Sequence, residues 1–301
     1  MARCSNSSCA LSRNRNYSDH FGDQNLYRIG GGNAQLPERM AVHFGTENII
    51  LGEEGQVVHI DQTSPETVRI HTKDGRVHEA DEVVSTASFL LFKDNDITIS
   101  PSWSEGKQRM IDEFEWGNTI KVVCQTMSPT WLSAGVHGWP MAGMSRADVD
   151  DQTPEDRIWE RVIDITGASR YGNVFFYLNG DNADKVAEMF PEDSSGDYID
   201  KRADYVISSF QESMPGLIDE CIYRTSIFWN EVDWMKGSFG SAPLNGAWMI
   251  EEWSQPEDRV WLSGDFTTVK SGWVEGAIES GLRVAKAIDP NSRRVFDPPQ
   301  E

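Results

Sequence analysis

The stretch from Arg259 to Ile288 constrains the architecture more than any other. Arg259-Val260-Trp261-Leu262-Ser263-Gly264-Asp265 reads as a short apolar strand ending in Gly-Asp. Ser271-Gly272-Trp273-Val274 then opens a helix whose apolar face is Val274, Ala277, Ile278, Leu282 and Ala285, and which ends before Pro290. A strand feeding a helix through small residues is a building block of α/β folds. Gly264 has no side chain to keep a ligand from the backbone. The helix start at Gly272–Val274 offers unpaired N–H groups and the positive end of the helix dipole. That arrangement suits an anionic or electron-rich ligand. An ordinary strand–helix crossover, with small residues for close packing, fits the same residues.

Upstream, residues 1–25 are polar and aperiodic and read as a flexible arm. Gly30-Gly31-Gly32 followed by Leu36-Pro37 reads as a glycine turn feeding a helix, because the pattern is not GxGxxG and no apolar strand precedes it. Residues 56–61 and 67–72 alternate as strands. Lys73-Asp74-Gly75-Arg76 is a hairpin turn, and Val77–Val84 is a third strand. Residues 104–116 read as a helix and Thr119–Met127 as a buried strand. The acidic stretch 146–156 reads as a loop and Val174–Leu178 as a strand. Helices follow at 181–190 and 197–213, then a strand from Cys221 to Trp229. Residues 230–257 read as irregular.

The formal net charge of −21 argues against a nucleic-acid partner, since phosphate backbones would be repelled. No apolar run reaches the length of a membrane span, and the first 25 residues lack the apolar core of a secretory signal. Cys4 and Cys9 lack the companions of a zinc site. Cys124 and Cys221 sit in apolar runs and read as buried thiols. A reducing, cytoplasmic setting fits them. His43 and His137 have no catalytic companions, and no metal site is expected.

Gly264-Asp265 with Ser271-Gly272-Trp273-Val274-Glu275-Gly276-Ala277 resembles the C-terminal flavin motif of the monoamine oxidase, polyamine oxidase and L-amino-acid oxidase family. The resemblance implies that Gly264, Asp265, Gly272 and Val274 contact FAD. The Val274 N–H would meet the O2 edge of the flavin, where the reduced ring carries negative charge. Asp265 stands where the family has Glu, one carbon longer. Trp273 would form one wall of a substrate cage. The meander from Val57 to Val84 is similar to the family's, with the Val57 backbone at the adenine end of FAD. Ser85-Thr86-Ala87-Ser88 stands where the family usually has Pro. Gly117-Asn118-Thr119-Ile120-Lys121-Val122-Val123 resembles the strand whose lysine holds a water near flavin N5 and serves reoxidation by O2. A snorkelling strand lysine is the plain alternative for Lys121. Gly237-Ser238-Phe239-Gly240 is similar to the family's substrate-side segment, so Phe239 would be the second wall; loop packing alone also fits it.

The resemblance covers about residues 26–290. The N-terminal GxGxxG unit that cradles the pyrophosphate in the family is not among them. The implied fold is α/β, an FAD-linked amine-oxidase-like fold. It has an incomplete Rossmann-type nucleotide domain (26–85 and 257–290), a mixed-sheet substrate domain (86–256), an arm (1–25) and a tail (291–301). The implied function is oxidation of a C–N bond of an amine or amino acid, with O2 reduced to H2O2. The chain would be truncated, or a second chain would supply the missing half. An FAD-independent relative using the aromatic pocket for binding or a non-redox step, or a non-catalytic interaction module, are the alternatives. The Trp-rich stretch 228–261 suggests an aromatic or bulky amine.

Overall fold

The computed structural model describes residues 29, 32–134, 142–143, 161–164 and 170–291. The expected arm at 1–25, Gly30, Gly31, the loop at 146–156, His137 and the tail beyond 291 lie outside the described residues. The chain divides into two compact units. One holds Trp116–Ser238; the other joins the described residues of Ser7–Glu115 to those of Phe239–Glu301.

The split unit begins with helix α1 (Gln35–Phe44), with Pro37 in its first turn as expected. None of its residues is buried. Strands β1 (Val57–Asp61), β2 (Val68–Thr72) and β3 (Val77–Ala80) form an antiparallel meander. Its second turn is made by Gly75, at φ 86°, and by Asp74, whose carboxylate accepts from the Thr72 hydroxyl at 2.6 Å. The third strand does not run on to Val84. It breaks at Asp81-Glu82, and β4 (Val83–Ser85) departs to another pairing. The alternating sequence cannot signal that break, because Val83 and Val84 fit a strand wherever it pairs.

Helix α2 (Phe89–Lys93) is capped by the Ser88 side chain. Strand β5 (Thr98–Ser100) joins β1 in parallel, giving a sheet of order β3-β2-β1-β5. Neither element is evident in the sequence. Helix α3 (Glu105–Glu113) stops three residues short of the expected end, where Phe114 turns extended and is buried.

The Trp116–Ser238 unit carries a five-stranded antiparallel sheet. Its strands are β6 (Thr119–Thr126), β7 (Ala142–Gly143), β8 (Arg161–Asp164), β9 (Gly172–Asn179) and β10 (Cys221–Phe228), in the order β10-β6-β9-β8-β7. Burial alternates along the whole of β9 and along β6 from Ile120 onward. Ile120, Val122, Phe176 and Leu178 lie in a core shared with helices α4 (Asp181–Met189) and α5 (Asp197–Ser213). On α5 the buried stripe is Ala203, Val206, Ile207 and Phe210, the spacing of one helical face. Lys121, Val123, Phe175 and Tyr177 occupy the other, half-buried face.

Cys124 and Cys221 are not free thiols. They form a disulfide between β6 and β10, with Cα atoms 5.7 Å apart. Neighbouring strands bring together two residues that lie 97 positions apart in sequence. The argument for a reducing compartment rested on free thiols, so it loses its support.

After Phe239 the chain returns to the split unit. Its supposedly irregular stretch contains helix α6 (Met249–Ser254), with Met249 and Trp253 buried. Strand β11 (Val260–Leu262) pairs in parallel with β4, and helix α7 (Val274–Ile288) follows. The buried side of α7 is Gly276, Ser280 and Val284. Val274 and Ile278, expected on the packed face, are exposed. Close approach explains the choice: a Cβ at Gly276 would lie 2.5 Å from the Lys270 carbonyl oxygen. No helix among the described residues is long and apolar enough to cross a membrane.

Candidate functional site

In the split unit the site is built on the loop between β11 and α7. Gly264 ends the strand at φ 144°, ψ 166°, a conformation essentially reserved for glycine. Its N–H donates to Ser280 Oγ at 2.9 Å, and its carbonyl accepts from Thr267 N–H at 3.0 Å and Thr267 Oγ1 at 2.8 Å. Asp265 Oδ2 accepts from the Gly272 N–H at 2.6 Å, which ties one end of the loop to the other. Gly272 stands at φ 82°, and a Cβ there would lie 3.8 Å from Phe239 Cβ. Phe239, half-buried, is thus a neighbour of the residue that precedes Trp273.

Trp273 is the N-cap residue of α7, in extended conformation and half-exposed, and no side chain caps the helix. The Ala277 N–H donates to the Trp273 carbonyl at 3.2 Å, so the helix ladder begins there, with Val274 at the positive end of the helix dipole. Val274 is 63% exposed. What this end of the loop offers a flavin's carbonyl edge is the exposed Val274 position at the start of α7, with the helix dipole behind it and the half-exposed Trp273 beside it. The residues present fit that end of the cofactor. Val57 opens β1 opposite Thr72, while the β5 ladder begins only at His59, so no β5 residue pairs with Val57 on its other side.

Lys121 belongs to the Trp116–Ser238 unit. Its register partners are Tyr177 on β9 and Ile227 on β10. Its Nζ lies 5.5 Å from the centre of the Tyr177 ring and 5.8 Å from that of Trp229. Burial among these groups lowers its pKa from the ordinary 10.5. The strand is fixed at its start by a polar network. The Thr119 hydroxyl meets Asn179 Oδ1 at 2.9 Å and the Ser238 hydroxyl at 2.7 Å, and Asn118 Nδ2 donates to Asp184 at 2.8 Å. Arg202, 1% exposed, binds Glu231 through two nitrogens just beyond Trp229.

Phe239, Gly264, Asp265, Gly272, Trp273 and Val274 are thus gathered around one loop, with Val57 in the same unit and Lys121 in the other. Sequence reasoning missed Thr267, Ser280 and Arg283, which bind the inner side of that loop. Ser280 stands four residues after Gly276 and four before Val284, a small-residue row that signals a closely packed helix side.

A family model described as flavin containing amine oxidoreductase matches residues 1–289. The flavin-dependent L-tryptophan oxidase RebO of Lentzea aerocolonigenes is 23% identical over 95% of this chain and 58% of its own length. The human flavin-containing amine oxidase B is 25% identical over 86% of this chain and 46% of its own. The chain therefore spans about half the length of these curated relatives. Among solved structures, a putrescine oxidase triple mutant superposes with a TM-score of 0.71 and 20% identity over 87% of this chain and 53% of that one. Cyclohexylamine oxidase of Brevibacterium oxydans IH-35A gives 0.68 and 21% over 85% and 52%. These similarities establish the amine-oxidase fold for the part of it that this chain spans.

Proposed function

The chain belongs to the flavin-containing amine oxidoreductase family, and on that premise we propose that it contributes the flavin seat and one substrate wall of an FAD-dependent oxidase acting on a C–N bond of an amine or amino acid. The observation that carries the reading is the loop from Gly264 to Trp273. It combines two glycines at positive φ with a helix start that no side chain caps.

A bound flavin would supply the hydride-accepting and O2-reducing chemistry, with H2O2 as the by-product. The protein's own part is placement and exclusion of water. The Val274 N–H would donate to the electron-rich edge of the ring, which would favour the reduced form. Trp273 and Phe239 present apolar faces that hold the substrate and keep water from it. Lys121, on the same reading, would stabilise the negative charge that develops on reduced oxygen. Val57 offers its backbone to the adenine end. The stretches 26–85 and 257–290 would serve the nucleotide and 86–256 the substrate. The pyrophosphate would be held by residues outside these 301, in the same polypeptide or in a second chain. Because similar proteins are named for L-tryptophan and putrescine, aromatic amino acids and diamines are the substrates to test first.

The deciding experiment is a visible absorption spectrum of the purified chain after incubation with FAD and desalting. Retained bands at about 370 and 450 nm mark bound oxidised flavin, and amine oxidase assays follow from them. A folded, colourless protein overturns redox catalysis by this chain alone and favours a flavin-free use of the aromatic residues.

A further inference from the structure

We propose that Thr267, Ser280 and Arg283 are positioning residues that fix both sides of the Gly264 peptide and thereby set the flavin loop; the proposal rests on the reading of that loop given above. The Gly264 N–H is held by Ser280 Oγ at 2.9 Å, and Ser280 is fully buried. The Gly264 carbonyl is held by the Thr267 hydroxyl at 2.8 Å, and Thr267 is 1% exposed. Arg283 Nη2 donates to that hydroxyl at 3.1 Å, and its Nη1 donates to the Trp253 carbonyl at 3.1 Å.

The Trp253 carbonyl is a firm anchor. It lies near the end of α6, where Lys107 Nζ takes the Glu252 and Gln255 carbonyls at 2.6 and 2.8 Å. Lys107 is 2% exposed. A relay of hydrogen bonds thus runs from the end of α6 through Arg283 and Thr267 to the Gly264 carbonyl. Ser280 closes it from the N–H side.

The consequence for the site is geometric. At φ 144° Gly264 belongs to no helix, so its peptide groups need partners from elsewhere. Asp265 follows directly and carries the constraint to the Gly272 N–H at 2.6 Å. The loop and the start of α7 are therefore set jointly by Asp265 and Thr267 within the loop and by Ser280 and Arg283 of α7. A ligand meeting the Val274 amide finds it already in place, and ordering costs that would weaken binding are avoided.

The test compares Thr267→Val, which keeps the shape and removes the hydroxyl, with Thr267→Ser, which keeps the hydroxyl. Arg283→Met, Arg283→Lys and the double variant Thr267→Val/Arg283→Met complete the set. Amide hydrogen exchange is read over residues 264–273 and over β1, together with Tm and FAD binding by fluorescence titration. Loss of one buried partner is expected to speed exchange at 264–273 and to weaken FAD about tenfold each, with β1 unchanged. Thr267→Ser should match the wild type. The double variant should be no worse than the more severe single, as members of one relay are not additive. Unchanged exchange at 264–273, or a rise shared equally by β1 with a matching loss of Tm, overturns the proposal. If the wild type binds no FAD, the seat reading fails, while the exchange pattern still decides whether these residues position the loop.

Discussion

At the scale of the residue, Lys121 shows how burial and function bear on one side chain. Burial at a half-buried strand position lowers its pKa by desolvation, against the pull of the Tyr177 and Trp229 ring faces on the ammonium. Below the lowered value the folded state carries a charge that burial disfavours. Between that value and 10.5 the unfolded state binds more protons than the folded one, so stability rises with pH across this window. Lys121→Met removes the charge and the thioether fills similar space. Its Tm should exceed that of the wild type at pH 7, and the difference should shrink as the pH approaches 10.5. Thermal melts of both proteins across pH check this. In flavin-loaded protein the same substitution should slow reoxidation by O2 at least tenfold while leaving reduction by substrate nearly unchanged, as stopped-flow absorbance would show. Equal effects on both half-reactions would remove Lys121 from the oxygen step.

At the scale of the element, the sequence was legible wherever one period governed a whole segment. β6, β9, α4 and α5 stand within one or two residues of the expected bounds, because each has a single buried face and a matching repeat. It was not legible where tertiary contact overrode the period. α7 buries Gly276, Ser280 and Val284 rather than its most apolar residues, since the backbone of Lys270 comes too close for larger ones. Gly276→Val should therefore destabilise the chain by about 1–3 kcal/mol, measured by urea unfolding, although valine continues an apolar helix in sequence terms. The candidate loop was visible through Gly264, Gly272 and Trp273, whose spacing is local. The partners of Gly264 were not, because Ser280 and Arg283 act through hydrogen bonds across 16 residues or more. The disulfide was hidden for a similar reason: only the pairing of β6 with β10 brings Cys124 to Cys221. Its chain-entropy contribution for a loop of this length is about 4–5 kcal/mol, so a reducing agent should lower the Tm sharply and Cys124→Ala should reproduce that loss.

At the scale of the whole molecule, each unit has its own core, and the surface is strongly acidic. Asp and Glu number 48 against 27 Lys and Arg, so like-charge repulsion opposes the compact state. Raising sodium chloride from about 10 mM to 500 mM should raise the Tm, because the screening length falls from roughly 30 Å to below 10 Å. A flat response would show that the excess negative charges lie too far apart for their repulsion to bear on stability. The cross-link between β6 and β10 also makes a covalent ring of the chain between Cys124 and Cys221, and β9, α4 and α5 all lie on that ring. A protease cut anywhere within it opens the ring without releasing a fragment. The nicked protein would migrate as one full-mass band on a non-reducing denaturing gel and part into two pieces only once the sulfurs are reduced.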